Sequence, residues 1–181
     1  MSYRGRARVA LRRGSALVMS GIVVLSISAC APPLPEPTPS TTVSGFASEE
    51  EAFRAAEATY RAYIDALNEV DLDPTSEIDP LRYLAGPALA AERSGRATFD
   101  ELGVHLRGPM KVVSVSRGTS DLVTARLTVC VDVARARLLD DSGKDVTPRE
   151  RGVLVGLDIT VEWRPTQPVI IDSTANETSC S

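Results

Sequence analysis

From Ser48 onward the hydrophobic positions follow two different periods. Phe53, Ala56, Tyr60, Tyr63, Ile64 and Leu67 recur at three and four residues, which predicts an amphipathic helix of about 20 residues. Ser48-Glu49-Glu50-Glu51 opens it as a capping box, serine at the N-cap and glutamate three residues on. Acids in that first turn also suit the positive end of the helix dipole. Glu50/Arg54, Glu57/Arg61 and Arg61/Asp65 stand one turn apart and read as a solvated outer face. Asp73-Pro74 and Asp79-Pro80 break the pattern. Aspartate followed by proline suits an N-cap and first helical position, which predicts a short helix from Pro80 to Ala85. After Gly86-Pro87 a second helical stretch is expected from Pro87 to about Arg93, interrupted by Ser94-Gly95, with Thr98-Phe99-Asp100-Glu101 capping one more turn.

Beyond Gly108-Pro109 the period changes to two. Val112, Val113 and Val115 mark a first strand. Next, Val123, Ala125, Leu127, Val129, Val131 and Val133 share one face, with Thr124, Arg126, Thr128, Cys130 and Asp132 on the other. Asp140-Asp141-Ser142-Gly143-Lys144 reads as a hairpin turn. Val153, Val155, Leu157, Ile159, Val161 and Trp163 then take one face, and Val169-Ile170-Ile171 supplies a last short strand. The expected fold class is α+β: N-terminal helices packed on the apolar face of a twisted antiparallel sheet.

Composition refines this picture. The chain has 181 residues, 43% hydrophobic and 24% charged, an ordinary globular balance for one domain with appendages. The net charge of −4 is unevenly placed: residues 1–29 hold five arginines and no acid, leaving residues 30–181 at −9. A body this acidic repels phosphates, so nucleic acid is excluded as a partner.

The basic start, residues 1–13, is followed by an uncharged apolar run over 15–29, the layout of a secretory signal peptide. That run is shorter than the roughly 20 residues a membrane-spanning helix needs. Ile27-Ser28-Ala29-Cys30 resembles the lipobox of bacterial lipoproteins, whose cysteine is diacylglycerated before the preceding bond is cut. The resemblance implies lipidation at Cys30, removal of residues 1–29, and anchoring to the membrane through acyl chains. An ordinary signal ending near a cysteine, or an uncleaved anchor, are the alternatives. Residues 30–46 then form the lipidated cysteine and a tether whose five prolines favour extended polyproline structure, reaching about 45 Å. A proline-rich ligand is the other reading of that segment. Eighteen arginines against two lysines indicate a GC-rich genome, and with the lipobox point to an actinobacterial source.

With Cys30 assigned to lipid, Cys130 and Cys180 remain, and two cysteines in an exported domain most often pair. Closing that loop is worth about 4 kcal/mol in the chain-entropy account. Two unpaired thiols are the alternative, since His105 is the only histidine and a metal site would lack ligands.

A long helix, shorter helices and a meander of long strands over residues 47–181 resemble the cone-shaped nuclear transport factor 2-like superfamily. Tyr60-Arg61-Ala62-Tyr63-Ile64-Asp65-Ala66-Leu67 followed by Asp79-Pro80-Leu81-Arg82-Tyr83-Leu84 is similar to exported actinobacterial members, as are a strand cysteine and a C-terminal cysteine. The resemblance implies a cone with an internal pocket. Enzymes, ligand-binding pockets and protein-binding modules all occur on that fold. Enzymes of the superfamily use an aspartate base, often with histidine or tyrosine, and no motif maps such a base onto this chain. Asp132, Asp158 and Glu162 alternate onto the polar strand face; Tyr60, Tyr63 and Trp163 read as core or cavity wall; His105 has only Asp100 and Glu101 nearby in sequence. Asp71, Asp73, Glu77 and Asp79 follow part of a calcium-loop spacing, but Ser76 and Arg82 stand where glycine and glutamate are needed. Asn176-Glu177-Thr178 is a glycosylation sequon, without use in a bacterium. No catalytic, cofactor-binding or metal-binding residue is assigned.

The expected function is a lipid-anchored, non-enzymatic module on the outer face of the cell membrane, binding a small apolar ligand or an envelope protein. An isomerase or dehydratase using the cone pocket is the alternative, and a sheet face that dimerises is a third. The anchor makes a direct prediction. Protein recovered from the host's membrane fraction begins at Cys30 with added acyl mass, and Cys30→Ala abolishes the modification. An unmodified chain that keeps residues 1–29 removes the anchor and the tether together.

Overall fold

The computed structural model describes residues 45–73, 75–176 and 180. The signal segment, Cys30, residues 31–44 of the tether, and Glu177 and Thr178 of the sequon lie outside the described residues. Phe46, the last residue of the expected tether, belongs to the core: it is buried and its N–H donates to the Leu122 carbonyl at 2.6 Å.

The first helix, α1 (Glu49–Leu72), starts where the capping box places it. Ser48 accepts from the Glu51 N–H at 3.1 Å, and the Glu51 carboxylate reaches back to the Ala47 N–H at 3.0 Å. Its inner face buries Ala52, Ala56, Tyr60 and Ile64, with Phe53, Tyr63 and Leu67 partly covered. The small side chains at 52 and 56, with no exposed surface, let the helix lie close on the sheet. On the outer face Glu57 pairs with Arg61 at 2.9 Å, while Glu50 approaches Arg117 at 3.8 Å. Asp79 then caps a 3₁₀ turn, Pro80–Tyr83, by accepting from the Leu81 N–H.

The second helix corrects the sequence reading. Instead of a stretch ending near Arg93, α2 (Gly86–Leu102) runs unbroken for 17 residues through Ser94-Gly95. A glycine inside a helix costs about 1 kcal/mol relative to alanine, which the continuous backbone ladder on either side outweighs. Thr98-Phe99-Asp100-Glu101 is its last turn rather than a new start, and the Thr98 hydroxyl donates to the Ser94 carbonyl at 3.0 Å. The stop signal is Gly103: at φ 60° it takes the left-handed conformation, and its N–H returns to the Phe99 and Asp100 carbonyls.

Six strands follow: β1 (Val104–Arg107), β2 (Lys111–Ser120), β3 (Thr124–Asp132), β4 (Arg137–Asp140), β5 (Leu154–Glu162) and β6 (Val169–Ala175). Four form an antiparallel sheet in the order β2-β3-β5-β6. Along β3 the alternation holds: Ala125, Leu127, Val129 and Val131 are buried against α1, continued by Val133. Ile159, Val161 and Ile170 complete this face. The opposite face carries Ser114, Ser116, Arg126, Thr128, Asp158 and Thr160. There Asp158 accepts from Thr128 at 2.7 Å and from Asn176 at 3.0 Å, bonds that hold its carboxyl below the usual carboxylate range. Cys130, also on that face, is buried and bonded to Cys180, with the two Cα atoms 5.4 Å apart. Register shifts interrupt β2 between Val112 and Ser114 and again between Arg117 and Ser120.

The remaining pair, β1 with β4, forms a separate two-stranded sheet that sequence reading did not anticipate. Each strand is four residues long, too short for a period of two to stand out. The turn at Asp140–Lys144 forms as expected, but it ends β4 rather than joining two long strands.

Beyond its chain neighbours and the backbone of its own helix, no atom lies within 4 Å of the point where a methyl group on Gly95 would sit. Gly95→Ala therefore removes the backbone penalty without a clash and raises stability by roughly 0.5–1 kcal/mol. The check is the urea midpoint at unchanged denaturant slope; a lower midpoint would mean that the helix needs glycine there.

Candidate functional site

One stripe of α2, Ala88, Ala91, Glu92, Gly95 and Phe99, follows helical spacing and ought to face a core. Only Ala88 is buried. The rest of the stripe fronts open space, because α2 touches β6 and β1 while α1 covers the middle of the sheet. Between α1, α2, β1 and the sheet lies a cavity of about 720 Å³, within the roughly 300–1,000 Å³ typical of small-molecule sites. A smaller pocket of about 210 Å³ adjoins it and shares Tyr60, Tyr63, Glu92 and Ser173 with it.

The interior wall is apolar: Ile64 and Leu67 from α1, Val131 and Val133 from β3 and its continuation, Leu157 from β5, and Met110. Phe99, Leu106 and Val155 line the mouth, each 36% exposed. This explains a departure from the strand pattern, since Val155 faces the cavity opening instead of a packed core.

Two side chains on α1 fix the floor. The Asn68 carboxamide donates to the Met110 carbonyl and accepts from its N–H, both at 2.8 Å. One turn on, Asp71 accepts from the Gly108 N–H at 2.6 Å and from Arg107 at 3.1 Å. Gly108 is confined to glycine on two counts: φ is +99°, and a Cβ there would collide with the Arg135 carbonyl. This clamp turns the chain from β1 into β2 and sets Met110 into the cavity wall.

The polar groups in the cavity are largely committed to one another. Glu92 pairs with Arg96 at 2.8 Å. Burial first, then the charge and hydrogen bond of Glu92, push the Tyr63 phenol far above its ordinary value. His105 stands at the mouth, side chain 45% exposed, with its Nε2 at 3.2 Å from Asp141 rather than beside Asp100 or Glu101. Tyr60 differs. It is 2% exposed, burial alone pushes its phenol up, and no hydrogen bond to its hydroxyl occurs among the described residues. Among the described residues no fully enclosed side-chain oxygen lacks a partner, so that hydroxyl opens onto the cavity it lines.

The residues weighed from sequence thus separate. Tyr60 and Tyr63 are cavity wall, whereas Trp163 packs on the core just beyond β5. Asp158 and Glu162 are on the outer sheet face, Glu162 at 2.7 Å from Arg164, and Asp132 caps the turn after β3 through the Ala134 N–H. Asp73 and Asp79 each serve a local backbone bond, and Asp71 serves the distant one to Gly108. Among the described residues no three potential metal ligands converge, and no helix is long and apolar enough to cross a membrane. Glu92, Arg96 and Phe99 were not anticipated; the signal was the α2 stripe, hidden by reading Gly95 as a break.

No protein-family model matches the sequence, and no curated protein matches it. Among solved structures, the intermembrane space region of chloroplast protein ARC6 is similar over 67% of this chain and 94% of its own. The identity is 17% and the TM-score 0.47. Aln2 from a Streptomyces species is similar over 72% of this chain and 93% of its own, at 10% identity and a TM-score of 0.42.

The two tyrosines carry a pH signature. Their phenols ionise from about pH 10 in the unfolded chain and later in the folded one, so the folded state holds more protons above that point. Their contribution to stability is complete below pH 10 and is lost as pH rises beyond it. Urea midpoints measured between about pH 8 and pH 11 should fall on the alkaline side, and Tyr60→Phe with Tyr63→Phe should flatten that limb.

Proposed function

We propose that this chain is an exported lipoprotein, anchored to the outer face of the membrane through Cys30, whose domain is a nuclear transport factor 2-like cone that binds a small apolar ligand without catalysis. The observation that carries the ligand-binding part is the 720 Å³ cavity with an apolar interior. Two of its three carboxylates are spent on structure, Asp71 on the β1–β2 turn and Glu92 on Arg96, while Asp100 and His105 stand on its exposed rim. A general base acts within reach of a substrate proton, and holding Asp71 and Glu92 to guanidinium groups does not favour either for that part. The polar outer sheet face does not favour an apolar protein partner there. The isomerase or dehydratase reading draws on Glu92 beside the Tyr63 phenol and on Asp100 and His105 at the rim.

The test uses the full chain bearing Cys30→Ala, which carries no acyl chains, and the neutral fluorescent probe N-phenylnaphthylamine. One probe should bind per chain. Leu157→Trp, which fills the cavity from β5, should weaken binding at least tenfold while leaving the circular dichroism spectrum unchanged. Equal binding by both proteins would place the probe elsewhere and remove the cavity as the site.

A further inference from the structure

Among the described residues, Tyr60 is the one buried polar group that the cavity leaves unused. Tyr60 is packed in the core on α1, and it lines both the large cavity and the small one. A hydroxyl that opens onto an apolar cavity is satisfied only by what enters it, water or a ligand, whereas a phenylalanine would pack the same ring and need neither. Burial pushes the Tyr60 phenol well above its ordinary value, so at any physiological pH the group is a neutral donor. What it lacks is an acceptor.

The surrounding charges decide what kind. The cavity lining holds three carboxylates, Asp71, Glu92 and Asp100, against two guanidinium groups, Arg96 and Arg107, and the His105 imidazole, which faces Asp141 outside the lining at 3.2 Å. Both guanidinium groups are already paired, Arg96 with Glu92 at 2.8 Å and Arg107 with Asp71 at 3.1 Å. An anionic head would therefore meet excess negative charge and no unpaired guanidinium. Tyr63, with its ring centroid 6.3 Å from that of Tyr60, has the Glu92 carboxylate beside its phenol as an acceptor, which Tyr60 lacks. Ser173 also borders both pockets, but it is solvent-exposed, so water satisfies it without a ligand.

Resting on the reading of this cavity as a ligand site, we infer that its ligand is an uncharged, mainly apolar molecule bearing a carbonyl or ester oxygen that accepts a hydrogen bond from Tyr60. The apolar body lies along Ile64, Val131 and Leu157, and the carbonyl points to the junction of the two pockets.

The experiment compares nonane, methyl octanoate and octanoate as competitors of N-phenylnaphthylamine on the Cys30→Ala full chain, with and without Tyr60→Phe. A neutral hydrogen bond changes affinity by about two- to tenfold. Tyr60→Phe should weaken methyl octanoate by that factor, leave nonane unchanged, and move the infrared carbonyl stretch of bound ester to higher wavenumber. Ser173→Ala should change ester binding less than twofold, and octanoate at about pH 8 should be the weakest competitor. If Tyr60→Phe affects ester and alkane equally, or affects neither, the inference is overturned while the cavity reading stands. Octanoate competing better than its methyl ester would overturn the uncharged assignment. If none of the three competes on the chain that keeps Tyr60, the cavity reading falls and takes this inference with it.

Discussion

The cavity exists because α2 has no floor. Helices in proteins are held mainly by burying an apolar stripe, yet along α2 only Ala88 is buried. The helix is supported at its ends instead. Before it, Leu84 bridges Ile170 on β6 and the Ala85 N–H donates to the Ile170 carbonyl at 2.9 Å. After it, Gly103 leads directly into β1, which is tied to β4 over four residue pairs. The clamp from Asn68 and Asp71 then fixes the far end of β1 to α1. A span fixed at both ends keeps its distance from the sheet, and the volume beneath it follows from that geometry.

That geometry also explains why so many charged residues surround an apolar space without suggesting chemistry. Arg96 with Glu92 and Arg107 with Asp71 neutralise one another along the walls. Exposed pairs of this kind contribute little to stability, but they leave the lining without a free guanidinium to receive an anion, and they tie up two of its carboxylates. In the proposed ligand-binding reading, recognition rests on shape, apolar area and one hydroxyl.

Legibility from sequence followed contact length. The start of α1, the 3₁₀ turn, β3 and β5 were readable because each is written in local signals: a capping box, an Asp-Pro step, or alternation sustained over nine residues. The Cys130–Cys180 bond follows from the expectation of an exported domain, in which two cysteines most often pair. The break assigned at Gly95 failed because glycine's local penalty is small beside a helix already nucleated on both sides. The strands β1 and β4 escaped because four residues carry too little pattern. For the site, the aromatic wall was visible at Tyr60 and Tyr63. The commitments of Asn68, Asp71 and Glu92 were not, since each depends on a partner brought near by the fold: Met110, Gly108, and the pair Tyr63 and Arg96.

The two register shifts in β2 bear on how copies of this protein coexist. A sheet ends in two edges, and an open edge is a template for another strand. At β6 the segment through Leu84 and Ala85 covers part of the edge. At β2 the cover is geometric: a bulge near Val113 and another before Ser120 bend the strand, and Lys111 and Arg117 place charge along it. For a protein proposed to be tethered to a membrane, neighbours meet in two dimensions and at high local density. A ragged, basic edge keeps such encounters from becoming shared sheets, so crowding at the surface need not lead to polymerisation.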